Sequence, residues 1–246
     1  MKTIALIPAR YESHRFPGKL MQDLGGKSVI KTTYDTVLNT NLFDEVWVIT
    51  DNEIIFKEIS DHGGLAYMSK KEHDCGSDRI AEAAADLSGD LIVNVQGDEP
   101  FIDGKSLADL IAVFKNDTDG VIDLASLMTP ISASNQINAT DTVKVIVDLQ
   151  NFALYFSRLP IPFDRDADNH PTYFKHLGVY AFRRDALIAF SQHEVTPLEA
   201  AEKVECIRFL EMGRKIKMIL TPHDSVGIDN PTDLEIARNL LTKSNM

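Results

Sequence analysis

Cysteine is nearly missing from this chain: two in 246 residues, Cys75 and Cys206. Two thiols so far apart build neither a disulfide framework nor a spaced zinc motif, so a reducing compartment is the default expectation. Long apolar runs are missing as well. No stretch approaches the ~18 unbroken apolar residues of a bilayer span. The opening "TIALIPA" is too short, and lacks the small-residue cleavage pattern, for a secretory signal. Positive charge is scarce, 25 Lys and Arg against 37 Asp and Glu, for a net −12. That balance argues against general nucleic-acid or anionic-membrane binding, which needs a broad basic face. Internal repeats and low-complexity segments are also absent. What remains, 44% apolar and 25% charged, has the makings of a substantial core and is expected to be a soluble cytoplasmic protein.

Short β-branched runs alternate with stretches of helical period. Strands are predicted at Ile4–Ile7, Val46–Thr50, Leu91–Val95, Leu124–Met128, Val143–Asp148, His176–Phe182 and Ile216–Thr221. Helices are predicted at Ser28–Asn39, Asn52–His62, Asp78–Leu87 and Lys105–Phe114. The alternation implies βαβ units on a mostly parallel sheet, with ligands beyond the C-terminal strand ends. Between 121 and 182 strand-like runs follow one another among Pro130, Pro160, Pro162 and Pro171, which reads as a β-rich insertion in a single domain spanning 1–246. "TPLEAAEKVECIRFLEMG" is expected to form one helix, with Thr196 as N-cap, Pro197 in the first turn, Glu199 completing a capping box and Gly213 as terminator. A last helix is expected from "NPTDLEIARNL", capped by Asn230.

Against the acidic background, three cations crowd one loop. "IPARYESHRFPGKL" ends its strand at Pro8 and then supplies Arg10, Ser13, Arg15, Gly18 and Lys19. Forked guanidinium donors, a compact ammonium and a glycine that lets backbone amides come close suit a phosphate, although a solvated basic loop has the same composition. Two familiar nucleotide motifs fail: "GGKS" has Met21 where a P-loop needs its first glycine, and no G-x-G-x-x-G follows a predicted strand. "NVQGDEP" puts Asp98 and Glu99 at a strand end, where carboxylates can hold Mg²⁺ or simply form a polar turn. Asp229 stands just outside the helix that Asn230 caps, and is therefore available as a second metal ligand. In "HDCGSDRIAE" Ser77 and Asp78 can serve as an ordinary helix start, whereas Arg79 is harder to explain that way. Cys75 reads as a small packed residue rather than a nucleophile.

These motifs, with "VKVIVD", "ALYFSRLPIPF", "HLGVYAF" and "GIDNPTDLE" in the same order, resemble the 3-deoxy-manno-octulosonate cytidylyltransferases, the CMP-Kdo synthetases of Gram-negative bacteria, over nearly the whole chain. The resemblance implies a Rossmann-like α/β nucleotidyltransferase fold with a mostly parallel central sheet, a homodimer, and Mg²⁺-dependent transfer of CMP from CTP to the acid sugar Kdo for lipopolysaccharide assembly. Carried onto matching positions, Arg10, Arg15 and Lys19 become the triphosphate grip, and Asp98 and Asp229 the metal ligands. Pro8, Ala9 and Arg10 with Ser77, Arg79 and Gln96 become the cytidine site, and Arg158, His176, Tyr180 and Glu205 the sugar side.

The sugar-side segments have plainer readings too. Arg158 can be a solvated residue of an edge strand in which Tyr155 and Phe156 merely pack, His176 a hydrogen-bonded structural histidine, and Glu205 the partner of Arg208 in a helix-surface ion pair. Two departures from the family pattern stand out: Cys75-Gly76-Ser77 where it reads Ser-Gly-Thr, and Cys206 where it reads glutamine. A thiol cannot supply two-sided hydrogen bonding, so a modified Kdo is an alternative substrate. Sialic acid is a further one, although Leu20 after Lys19 favours the Kdo branch over its asparagine-bearing relatives. A regulatory nucleotide-binding module without turnover is the rival from another class; retention of both Asp98 and Asp229 speaks against it.

Overall fold

The computed structural model describes residues 1–12, 16–73, 76–166, 170–224 and 227–244. Ser13, Arg15 and Cys75 lie outside the described residues. The chain forms two compact units, one of residues 1–107 and 225–246, the other of residues 108–224.

The first unit is built on a parallel sheet of β1 (Thr3–Ala9), β2 (Glu45–Thr50), β3 (Leu65–Met68) and β4 (Leu91–Asn94), in the order β3-β2-β1-β4. Every residue of β1 is buried. That is what a strand flanked on both edges and covered on both faces requires, and it explains why "TIALIPA" carries no alternation. The crossovers are α1 (Val29–Asn39), α2 (Glu53–Ser60) and α3 (Gly76–Asp86). Ser28 and Asn52 cap the first two by accepting from backbone N–H groups at Lys31 (3.1 Å) and Ile54 (2.9 Å). α4 (Gly104–Asn116) follows β4, and α9 (Pro231–Ser244) closes the chain. As expected, Asn230 caps α9, its Oδ1 accepting from the N–H of Thr232 at 2.9 Å and of Asp233 at 3.1 Å.

The second unit holds β5 (Leu124–Pro130), α5 (Ser134–Asn138), β6 (Lys144–Val147), β7 (Ala153–Ser157) and β8 (Phe174–Arg183). After them come α6 (Arg184–Ser191), α7 (Pro197–Glu202), α8 (Ile207–Glu211) and β9 (Ile216–Leu220). β5 pairs antiparallel with β8 and parallel with β9, while β6 pairs antiparallel with both β7 and β8. The β5–β8 register slips between Ser126 and Leu127, so that β8 holds Gly178 and Val179 as extra residues there.

One expectation is overturned. Residues 196–213 form two helices, because Lys203 turns left-handed at φ 54° and ends α7. The cause is not local: the Arg158 guanidinium donates from Nε to the Glu202 carbonyl (2.6 Å) and from a terminal nitrogen to the Lys203 carbonyl (3.3 Å). Carbonyls at a helix end are the ones a cation can claim.

Candidate active site

In the first unit the turn after β4 and the start of α3 both approach Pro8, at the end of β1 just before the basic loop. A Cβ built on Gly97 would lie 3.0 Å from the Pro8 carbonyl oxygen, and one on Gly76 would lie 3.5 Å from Pro8 Cγ. Glycine at 97 thus permits a close approach that a side chain would obstruct. Thr33 of α1 holds the same turn by donating its hydroxyl to the Gly97 carbonyl at 2.9 Å. On the other loop Gly18 adopts φ 66° and donates its N–H to the Tyr11 carbonyl at 3.1 Å, closing the basic loop just before Lys19.

Lys19, Asp98 and Asp229 come together. The Lys19 ammonium donates to Asp98 Oδ2 at 2.5 Å and to Asp229 Oδ1 at 3.1 Å. The backbone joins them as well, since the Ile228 N–H donates to the Asp98 carbonyl at 2.9 Å. Burial alone would lower the lysine pKa; the two carboxylates outweigh it and hold the ammonium above its ordinary value. Asp229 needs no side chain to start α9, because the Asp233 carboxylate accepts from the N–H groups of Asp229 (2.9 Å) and Asn230 (3.0 Å).

The residues that the resemblance assigns to cytidine lie in the same unit. Pro8 and Ala9 are buried, Arg10 is exposed, Gln96 is half-buried, and Ser77 is buried at the start of α3. Arg79, two residues further along α3, is buried and donates to Asp51 at 2.6 Å. Its other terminal nitrogen is buried without a partner, so the guanidinium keeps an unsatisfied donor beside the end of β2. The sequence reading missed Asp51, though a carboxylate immediately after β2 is the signal that would have found it.

In the second unit His176, Tyr180 and Phe156 form one aromatic group, with ring centroids 5.0 Å (Phe156–His176) and 5.4 Å (His176–Tyr180) apart. His176 Nε2 lies 3.1 Å from the Ser126 hydroxyl, which also reaches the Leu177 and Val179 carbonyls at the register slip. The hydroxyl's single proton serves a carbonyl, so a neutral ring protonated at Nε2 completes the network. Burial lowers the His176 pKa from 6.5 to about 4. The consequence for stability has a definite sign. Between pH 6.5 and about 4 the unfolded chain takes up a proton that the folded ring refuses, so stability present above pH 6.5 is lost on acidification, by about 3 kcal/mol. Urea unfolding across that window should show the loss, and His176→Gln should flatten it.

Cys206 is buried and receives a hydrogen bond from Tyr180; burial, then the nearby Glu205, push its thiol well above the ordinary value. That pKa makes it a poor nucleophile. Arg208 is buried rather than on a helix surface. It makes a buried two-point contact with Glu199, Nε to Oε2 at 2.7 Å and a terminal nitrogen to Oε1 at 2.6 Å. Arg158 is half-buried and tied down rather than freely solvated. Besides the α7 carbonyls it donates to the Thr140 carbonyl at 2.8 Å, and its backbone N–H donates to Glu202 at 2.9 Å.

Residues 4–216 match the family described as cytidylyltransferase. The 3-deoxy-manno-octulosonate cytidylyltransferase of Christiangramia forsetii is 57% identical over 98% of this chain and 97% of that protein. The chain belongs to the 3-deoxy-manno-octulosonate cytidylyltransferase family. The Flavobacterium johnsoniae member is 56% identical over 98% of this chain and 99% of its own length. A solved CMP:2-keto-3-deoxy-manno-octonic acid synthetase, complexed with CTP, superposes with a TM-score of 0.93 at 36% identity and covers 99% of this chain and all of its own. The fold of this cytidylyltransferase is therefore that family's mixed α/β nucleotidyltransferase fold with a mostly parallel sheet.

Proposed function

We propose that this cytidylyltransferase transfers CMP from CTP to the anomeric hydroxyl of Kdo, releasing pyrophosphate. The carrying observation is the convergence of Lys19, Asp98 and Asp229, drawn from three separate segments, in a chain that superposes on a CTP-complexed relative. The reaction forms a bond between the sugar oxygen and the α-phosphorus and breaks the bond to the pyrophosphate oxygen in line, while the hydroxyl proton is lost. Such chemistry asks for positioning and charge stabilisation rather than a covalent intermediate. The high thiol pKa of Cys206 is consistent with that.

Asp98 and Asp229 fit Mg²⁺. They are hard oxygen donors within reach of one ammonium, and Mg²⁺ commonly takes one or two protein carboxylates, leaving its other positions to water and phosphate. A bound Mg²⁺ would offset phosphate charge and lower the pKa of the attacking hydroxyl. Lys19 would exchange carboxylate oxygens for phosphate oxygens, with Arg10 and Arg15 as the further cations that this stretch of sequence supplies. Pro8, Ala9, Ser77, Arg79 and Gln96 hold the cytidine, and the unsatisfied Arg79 donor suits a base or ribose oxygen. Arg158, His176, Tyr180 and Glu205 face the acid sugar. In this reading the enzyme works in the cytoplasm, on the route to lipopolysaccharide; among the described residues no helix is long and apolar enough to cross a membrane.

A homodimer belongs to the same proposal. Leu149, Leu154, Leu159 and Phe163, in and just after the β6–β7 hairpin, are exposed at 105%, 58%, 66% and 84%, and a second copy of that apolar patch would cover them. Purified protein is expected to release pyrophosphate from CTP only when Kdo and Mg²⁺ are both present, at a light-scattering mass twice the 27.4 kDa of one chain. A panel of 3-deoxy acid sugars decides the substrate. Preference for sialic acid would reject the reading, and preference for a modified Kdo would point to Cys206.

A further inference from the structure

Lys144 opens β6 with its side chain wholly shielded from water, and among the described residues no carboxylate lies within ion-pair distance of it. An ammonium in that position loses several kcal/mol of hydration. A methionine would fill the same space without that loss, so the charge calls for an explanation. All three of its protons go to backbone carbonyls: Ala139 at 2.9 Å, Thr142 at 2.6 Å and Arg158 at 2.5 Å.

Two of these acceptors belong to the turn after α5, and the third is the residue just past β7. The Arg158 guanidinium returns to the same turn through the Thr140 carbonyl, and reaches the end of α7 through Glu202 and Lys203. Glu202 completes the circuit by accepting from the Ser157 hydroxyl at 2.7 Å and the Arg158 N–H at 2.9 Å. These contacts use three of the five guanidinium N–H groups and leave one on each terminal nitrogen, the fork that matches a carboxylate. Two cations held this close repel each other, with Asp141 and Glu202 opposing the repulsion.

We infer that Lys144 is a positioning residue for acid-sugar binding: it fixes the Arg158 fork and the α7–α8 corner that carries Glu205 and Cys206, and adds its charge to the field that selects a carboxylate. An incoming carboxylate relieves the Lys144–Arg158 repulsion, which a neutral sugar cannot do. The inference rests on the sugar-side reading of Arg158 given above.

The test compares Kdo with its uncharged carboxamide as acceptors. Lys144→Met is expected to raise the KM for Kdo at least tenfold, to cut the acid-over-amide ratio of kcat/KM by a similar factor, and to leave the CTP Kd by calorimetry within about twofold. Lys144→Arg should restore part of the ratio. Glu202→Gln, which keeps volume and one acceptor but removes the negative charge that offsets the two cations, should shift the ratio the other way, towards the acid. An unchanged acid-over-amide ratio in both variants overturns the inference, as does a parallel loss of CTP and Kdo binding that tracks the loss of melting temperature. Wild-type turnover of Kdo in the same assay reports on the proposed function separately.

Discussion

Asp98→Asn is expected to fold normally and to lose about a thousandfold in kcat, roughly 4 kcal/mol of transition-state stabilisation. Asparagine matches aspartate in volume and its carbonyl still accepts from Lys19, so packing and the loop contact survive. The charge is lost, and with it one of the two carboxylates that fit a divalent metal. The Asp98 side chain is 24% exposed against 49% for Asp229, so its field is less screened by water and its replacement should cost more than Asp229→Asn. Steady-state kinetics with saturating CTP and Mg²⁺ check the ordering. A near-native kcat for Asp98→Asn would take this residue out of the reaction machinery.

The largest effect on stability should come from Arg208→Met. The Arg208 and Glu199 side chains are 3% and 7% exposed, and the guanidinium also donates to the Phe190 and His193 carbonyls (3.2 and 3.1 Å) while lying 4.0 Å from the Phe190 ring centroid. Removing it strands a buried carboxylate and two carbonyls, at a cost of about 3–5 kcal/mol. For a chain of this size that corresponds to a melting temperature lower by about 10 °C. The double variant Glu199→Met/Arg208→Met should recover much of the loss, because two apolar side chains leave no uncompensated charge. Denaturant unfolding of the three proteins provides the test. A double variant less stable than the single one would mean that the pair's net attraction exceeds its desolvation cost.

The parts of this fold that were legible in the sequence are those set by neighbours a few residues away. The βαβ alternation, the buried run of β1, the caps at Ser28, Asn52 and Asn230, and the acidic turn after β4 all declare themselves locally. Lys203 does not. Its backbone is turned by Arg158, 45 residues upstream, and no helical periodicity contains that fact. β3 was missed because Leu65 and Met68 are exposed at 40% and 37%, which leaves the four-residue strand without a buried face to mark it. Residue spacing points Arg208 towards Glu205, three positions away, and holds no sign of its buried two-point contact with Glu199, on the far side of the α7–α8 break. The basic loop and the two aspartates were recognisable by residue type and by their place at element ends. The Lys144 circuit was not, because backbone carbonyls leave no trace in a list of side chains.

The tight fit at Gly97 has a mechanical consequence. With no slack between the Pro8 carbonyl and the turn that carries Asp98, the cation-bearing loop and the acid-bearing loop behave as two prongs of one fork, rooted in adjacent strands. A methyl group at position 97 would act as a shim, prising the prongs apart by a few tenths of an ångström. Lys19 and Asp98 would then be misaligned together, even though neither had been replaced.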